Sequence, residues 1–213
     1  MNKIWFIHPP KTGGTSISQF LKEQKNLDFK YYTHEQFTKE KYKQLTPVIM
    51  LSALRCPIQQ TRSYFTFIKM YRPKDKNLES FSYWLRNPNP CFSIIEECFG
   101  NQFEKWMTTN FYVRFFGSEG VVGSHCEAPS FDIDGYFSEA VNLLKSFDYV
   151  FDTSDLTNQF NKFTSKYNMP NFNICVQKSF KFDILKDDID YIKKQREQDI
   201  ELCKMFNIKI TGD

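Results

Sequence analysis

The sequence lacks three features that would assign it quickly to a class of protein. It has no run of about 18 apolar residues, so nothing in it predicts a membrane-spanning helix. No apolar segment of secretory length precedes Pro9 and Pro10, so we expect no export signal and a cytoplasmic location. The six cysteines form no Cys-X-X-Cys pair and show no metal-ligand spacing. We therefore expect free thiols in a reducing compartment and no bound metal ion.

An excess of charge of one sign is also lacking. The chain has 28 Lys and Arg against 25 Asp and Glu, a net charge of +3. That is too little for a protein that neutralises many phosphates of a long nucleic acid. The distribution is uneven, because residues 1–80 carry 14 basic and 6 acidic side chains, whereas residues 81–213 carry 14 and 19. We expect an anion-binding first part and no nucleic-acid partner, since the charges show no aromatic-interleaved stripe.

The composition and the apolar runs predict a folded α/β domain. Of the 213 residues, 41% are hydrophobic and 17% aromatic, enough to bury a core. Residues 3–8, 47–54 and 148–152 have the composition of buried strands, and a segment of helical periodicity follows each. This alternation predicts a central parallel sheet flanked by helices, with ligands beyond the carboxyl ends of the strands.

Several weaker patterns complete the predicted organisation. A short second strand is predicted at 29–33 and a helix at 154–168, with Ser154 or Asp155 as its N-cap. Residues 117–135, rich in Gly, Ser, Pro and Asp, predict a long loop. We expect one domain over 1–213, on which an amphipathic C-terminal helix over 185–206 packs through Leu185, Ile189 and Ile192.

The segment at residues 10–16, Pro-Lys-Thr-Gly-Gly-Thr-Ser, lies between the first predicted strand and the first predicted helix. Two glycines allow the backbone to curl so that its N–H groups point into one concavity, and the helix adds the positive end of its dipole. Lys11 supplies a positive charge, and Thr15 and Ser16 supply hydroxyl donors. Together they predict a site for a phosphate or sulfate group.

A second loop with related chemistry follows the strand at 47–54. An arginine at a strand end, such as Arg55, can bind an oxyanion through two parallel N–H bonds. Ser63 comes eight residues later, two turns inside the next predicted helix, and can face the same crevice. The two loops therefore predict two anion sites at one edge of the sheet.

Both loops resemble motifs of the sulfotransferases that use 3′-phosphoadenosine 5′-phosphosulfate (PAPS). HPPKTGGTS is similar to the family's 5′-phosphosulfate loop, above all to the HIPKTGGTS form of the carbohydrate O-sulfotransferases of the heparan sulfate 2-O and 6-O type. LRCPIQQTRSY resembles the 3′-phosphate motif LRDPIERxxSxY, although Cys56 stands where Asp is usual. The likeness covers residues 4–71 well and 100–165 loosely. It implies the sulfotransferase fold and an enzyme that moves a sulfuryl group from PAPS to a hydroxyl, leaving 3′,5′-phosphoadenosine (PAP).

The resemblance also implies roles for individual residues. Lys11 would act in catalysis as well as binding, and His34 would be the catalytic base, a role that suits an imidazole with a pKa near 6.5. Glu35 is the fallback base, His125 is a more distant candidate, and His8 is expected to be structural. The residues expected to bind the donor are Lys11, Thr12, Gly13, Gly14, Thr15, Ser16, Arg55 and Ser63.

The acceptor side is less well defined. Glu35 and Arg114 are the residues expected to contact the acceptor, Arg114 because NFYVRFFG resembles the family's NxxxRxLxG segment. Arg114 could bind an anionic acceptor or pair with a carboxylate, and both alternatives stay open here. Thr153 could approach the adenosine end of the donor. By analogy, the acceptor is a glycan or another small hydroxyl-bearing molecule.

Two other functions remain as alternatives. The first is a P-loop nucleotide kinase or NTPase, in which a strand-terminal Asp such as Asp152 would hold Mg²⁺. That motif requires lysine after the glycines, whereas Lys11 precedes them. The second is a non-catalytic, sulfotransferase-like binding protein, which would lack the base that His34 provides.

Overall fold

The core of the fold is a parallel sheet of four strands. The computed structural model describes residues 2–25, 27–32, 48–88, 107–117, 133–174 and 182–211. Its strands are β1 (Asn2–Ile7), β2 (Leu27–Tyr32), β3 (Val48–Leu54) and β4 (Tyr149–Asp152). Their order is β2-β1-β3-β4, and each neighbouring pair is parallel. The expected α/β class with a parallel sheet is confirmed.

Helices cover both faces of the sheet. In chain order they are α1 (Gly14–Glu23), α2 (Pro57–Tyr71), α3 (Phe81–Arg86), α4 (Phe111–Gly117), α5 (Ile133–Lys145), α6 (Leu156–Lys166), α7 (Lys186–Gln195) and α8 (Glu197–Met205). None of the helices within the described ranges is long and apolar enough to cross a membrane.

Alternating strand residues build a separate apolar cluster on each face. Ile4, Phe6 and Leu51 pack with α1 and α6 on one face. Ile7 and Met50 pack on the other face with α2, α3, α4, α5, α7 and α8. Because side chains of a strand point alternately to opposite faces, apolar residues at nearly every position are what a strand covered on both sides requires.

The strand order places the loops after β1 and β3 at the switch point of the sheet. From β1 the chain runs to β2 on one side, and β3 then lies on the other side of β1. In open parallel sheets, ligands bind where connections leave in opposite directions, beyond the carboxyl ends of the strands. Residues 8–13 and 55–56 occupy that position.

The C-terminal segment differs from the single helix expected over 185–206. It forms α7 and α8, separated at Arg196, whose backbone angles (φ −122°, ψ 32°) are not helical. Leu185 was expected to face the core but is 62% exposed, because it is the extended residue before α7. Ile192 is buried as expected, and Ile189 packs at the edge of the core.

Two other helix starts differ in how well they match expectation. Asp155 is the N-cap residue of α6, one of the two candidates, although its side chain makes no capping bond to the helix backbone. Oδ1 of Asp152 accepts a 2.8 Å bond from the Ser154 N–H, at the start of a 3₁₀ turn that precedes α6. Helix α5 begins at Ile133, inside the loop expected over 117–135. It packs closely on α4, since a Cβ on Gly117 would lie 2.0 Å from the Tyr136 carbonyl oxygen. Residues 118–132 lie outside the described ranges.

Candidate anion-binding site

The loop after β1 is shaped by hydrogen bonds among its own residues. The Thr12 hydroxyl donates to the Pro9 carbonyl oxygen at 2.7 Å, and Nδ1 of His8 donates to the same oxygen at 2.7 Å. Both side chains are buried. The Thr12 hydroxyl, expected to bind the donor, therefore gives its proton to the loop itself, and His8 has the structural role expected of it.

The start of α1 follows directly on this loop. Gly13 is its N-cap, with φ +78°, a left-handed conformation that favours glycine, and a Cβ there would lie 3.0 Å from Leu156 Cδ2. The first turn of an α-helix presents N–H groups without partners inside the helix. Gly13, as the N-cap residue, has no side chain that could cap this turn. Its N–H groups can therefore contact a phosphate or sulfate, and the side chains of Thr15 and Ser16 lie in the same turn, where the sequence predicted them.

Gly14 is required for a different reason. The His8 ring lies directly against it, so that a Cβ on Gly14 would be 1.8 Å from His8 Cε1. The ring is held there by stacking on Phe6, with 4.8 Å between ring centroids and 19° between their planes. Gly13 is thus favoured by its backbone conformation, and Gly14 by the lack of space for a side chain.

Lys11 carries the positive charge of this loop in a partly buried position. Its backbone is left-handed (φ +65°), and Nζ lies 4.3 Å from the centroid of the Phe67 ring. Burial, with a smaller contribution from the positive charge of Arg55, lowers the pKa of Lys11 from 10.5 to about 8. The ammonium form thus destabilises the folded protein below pH 8, and this cost is relieved as the pH rises from 8 towards 10.5.

Arg55 joins the loop after β3 to the loop after β1. Its Nη1 donates to the Lys11 carbonyl oxygen at 3.4 Å. Burial lowers the pKa of Arg55, and the positive charge of Arg62 acts in the same direction. Within the described residues, none of these three cations belongs to an ion pair. Partly buried like charges repel one another, so an anion that binds between them would gain energy from all of them.

Helix α2 lies beside this group of cations, and Ser63 and Phe67 are on the side of the helix that borders them. They are one turn apart on α2, and Phe67 contacts the Lys11 ammonium. Ser63 therefore lies on the face of α2 that borders the site, as the sequence predicted. Arg62 precedes Ser63, and its Nη2 donates to the Phe182 carbonyl oxygen at 2.5 Å.

Sequence reasoning missed three residues of this region: Gln60, Arg62 and Phe67. The i, i+4 spacing of Ser63 and Phe67 could have indicated that both face the same side of the helix. Gln60 is completely buried and donates to the Pro10 carbonyl oxygen at 2.8 Å. A polar residue on an otherwise apolar helix face is the only sequence signal for that contact.

Of the remaining residues predicted for catalysis or acceptor binding, the structure describes Arg114. His34, Glu35 and His125 lie outside the described residues. Arg114 is 3% exposed; burial lowers its pKa, and the carboxylate of Asp199 acts in the opposite direction. A carboxylate thus lies near enough to influence Arg114, and the two alternatives for the role of Arg114 both stay open. Asn110, from the same segment, accepts bonds from the N–H groups of Gln198 and Asp199 and so caps α8.

Asp152, at the end of β4, borders the site, but its carboxylate accepts hydrogen bonds from backbone groups of the protein. Asp152 accepts the Ser154 N–H with one oxygen and the Lys209 N–H with the other, each at 2.8 Å. Its carboxylate is thus committed to backbone donors, which argues against the Mg²⁺ role in the NTPase alternative. The methyl group of Thr153 would lie 3.8 Å from a Cβ on Gly13, so Thr153 borders the β1 loop.

Comparisons with known proteins do not place the chain in a family. No protein-family model matches it, and no curated protein matches it significantly.

The contact between Gly14 and His8 predicts a coupled stability effect. Gly14→Ala should lower the free energy of unfolding by about 1–3 kcal/mol, because the new methyl group overlaps the ring. In a His8→Ala background the same substitution should cost at least about 1 kcal/mol less. Urea unfolding of the four proteins measures both values. Gly13→Ala is the control, since its strain comes from φ and Leu156 and His8→Ala should not relieve it. Additive effects at Gly14 would contradict the contact.

Proposed function

We propose that this protein is a PAPS-dependent sulfotransferase that transfers a sulfuryl group to a hydroxyl, of a carbohydrate or another small acceptor, and that its sheet and helices belong to the sulfotransferase fold. The observation that carries the proposal is the convergence of Lys11, Arg55 and the glycine-capped start of α1 at the β1/β3 switch point. The order and spacing of the two motifs supply the identity of the anion.

The residues present fit a donor with an anionic group at each end. PAPS supplies an activated sulfuryl group on its 5′-phosphate and carries a second phosphate at the 3′ position. The α1 turn and Lys11 would hold the 5′ end, and Arg55 with Ser63 would hold the 3′-phosphate. Two anchors at a fixed separation orient the donor and reduce the entropy lost in reaching the reactive geometry.

Lys11 would contribute to the rate as well as to binding. As the sulfuryl group leaves, negative charge grows on the bridging oxygen of the 5′-phosphate, and a fixed ammonium stabilises that charge. Lys11 is already partly desolvated and fixed against Phe67, so little reorganisation is needed at the moment of reaction. His34, two residues after β2 ends, would take the proton from the acceptor hydroxyl.

The proposal predicts that the donor product binds without a metal ion. At 100 times its dissociation constant, PAP should stabilise the protein by about 2.7 kcal/mol, a rise in melting temperature of roughly 5–10 °C for a chain of this size. The shift should be the same with EDTA and should exceed that of ATP with Mg²⁺. Differential scanning fluorimetry measures it.

Two variants make that experiment specific. Arg55→Gln should remove most of the PAP-dependent shift, because it deletes the group expected to bind the 3′-phosphate. Lys74→Gln removes one charge from an exposed turn of the same basic half and should leave the shift unchanged. A larger shift with Mg²⁺-ATP than with PAP would favour the NTPase alternative.

The pKa of Lys11 predicts how PAP affinity depends on pH. A bound anion keeps the ammonium protonated, so above pH 8 binding requires uptake of a proton. The association constant should therefore fall up to about tenfold per pH unit as the pH rises above about 8, a range above the titration of phosphate groups. Isothermal titration calorimetry of wild type and Lys11→Arg tests this. The guanidinium variant should show little pH dependence in that range, and parallel profiles for the two proteins would contradict the assignment.

The proposed base is tested once an acceptor is found with radiolabelled donor. His34→Ala should lower kcat by about 10²–10⁴-fold, the usual contribution of general base catalysis, while PAP affinity stays within about twofold. Glu35→Gln, one residue away, serves as the comparison. If sulfated product still forms at the wild-type rate in His34→Ala, the base is another residue, and a large loss in Glu35→Gln would identify the fallback.

A further inference from the structure

A buried ion pair at the break between α7 and α8 extends towards the anion site. Arg196 and Asp199 are both completely buried. The carboxylate accepts from Nε of Arg196 at 2.8 Å and from Nη2 at 2.6 Å. Nη1 of Arg196 donates to the Pro57 carbonyl oxygen and the Thr61 hydroxyl, each at 3.0 Å. The C-terminal helices are thereby bonded to the first turns of α2.

Gln60 carries this network to the β1 loop. Its Oε1 accepts from Nη2 of Arg196 at 2.7 Å, and its Nε2 donates to the Pro10 carbonyl oxygen at 2.8 Å. A guanidinium only donates and a carbonyl only accepts, so the Gln60 amide has one orientation that satisfies both partners. Pro10 immediately precedes Lys11, so Gln60 fixes the backbone that carries the ammonium.

Tyr112 fixes the other loop in the same way. Its hydroxyl donates to the Arg55 carbonyl oxygen at 2.8 Å and accepts from the Arg55 N–H at 3.2 Å. The Arg196 guanidinium lies over its ring, 5.1 Å from the centroid. Burial raises the pKa of Tyr112 well above its usual value, so the hydroxyl remains a donor over the physiological range. Both polar groups of the Arg55 backbone are thus held by one side chain.

We propose that Gln60 and Tyr112 are positioning residues of the anion site, which fix the backbones next to Lys11 and at Arg55 so that the two cations face one anion. The inference rests on the proposed function for the identity of the ligand, but not for the geometry of the loops. Two cations in partly buried positions would move apart if their loops were free. Hydrogen bonds to backbone groups oppose that movement without placing a carboxylate beside the cations, which would neutralise them.

The experiment uses two variants and two measurements on the full chain. Gln60→Met and Tyr112→Phe remove the bonds to Pro10 and Arg55 with little change in volume. The first measurement, without ligand, is the pKa of Lys11 from NMR titration of ¹³C-labelled lysine, assigned with Lys11→Arg. The second is the dissociation constant of PAP by calorimetry. Thr164→Val is the control, since it removes a buried hydroxyl, bonded to the Asn161 carbonyl oxygen, from α6 on the opposite face of the sheet.

In both positioning variants, the pKa of Lys11 should move from about 8 towards 10.5, because the loop can carry the ammonium away from Arg55 and into water. The dissociation constant of PAP should rise about tenfold, equivalent to about 1.4 kcal/mol. Thr164→Val should change neither value even if it lowers the melting temperature. A general loss of stability would therefore not reproduce the expected pattern.

The outcomes separate the two proposals. Folded variants in which Lys11 titrates as in wild type and PAP binds with wild-type affinity would overturn the positioning role and leave the sulfotransferase proposal standing. If wild type does not bind PAP, the proposed function fails, and the Lys11 titration then decides the positioning role alone. Each variant is an independent test, so that failure of one to fold still leaves the other to decide.

Discussion

The burial of two cations, Lys11 and Arg55, at one edge of the sheet is the constraint on which the character of this site depends. Parallel strands bring their carboxyl ends to one edge, and the switch point places the loops after β1 and β3 side by side. Arg55 donates to the backbone of Lys11, which keeps their side chains in one region although their charges oppose it. Burial, and to a smaller extent the positive charge of Arg55, lowers the pKa of Lys11, which records the cost. A site that is destabilised in this way when empty has a built-in affinity for anions, because the ligand's charge offsets both the burial of the cations and their repulsion.

Among the described residues, Asp152 and Asp199 are committed to partners other than Lys11 and Arg55. Asp152 gives both oxygens to backbone N–H groups. Asp199 neutralises Arg196 and accepts the Val113 N–H, deep on one face of the sheet. Lys11 instead contacts the aromatic face of Phe67. An aromatic ring attracts a cation through its quadrupole without cancelling its charge, so Lys11 is held in place while its charge stays available to a ligand.

The sequence predicts those features of the fold and the site that depend on a local sequence pattern. Apolar runs located the strands, the glycines located the tight loop, and Arg55 at a strand end located the second cation of the candidate site. Features that depend on contacts between residues far apart in the sequence were not predicted. The chain breaks its last helix at Arg196 because the guanidinium finds five hydrogen bonds in the interior, which no helical periodicity reveals. Likewise, Asp152 caps the turn before α6 because it ends a strand, while its other oxygen holds a backbone group 57 residues away.

The paired glycines show how one sequence signal can have two physical origins. Both were expected to give the backbone freedom to curl around an anion, and Gly13 does have a left-handed conformation. Gly14 begins α1 and needs no unusual φ; it is excluded from carrying a side chain by the His8 ring. That ring lies between Phe6 and the loop after β1, so the backbone of this loop packs directly on the end of β1. The loop is thus supported by side chains beneath it, whereas its charges come from Lys11 and Arg55, and the proposed electrostatic catalysis would depend on both.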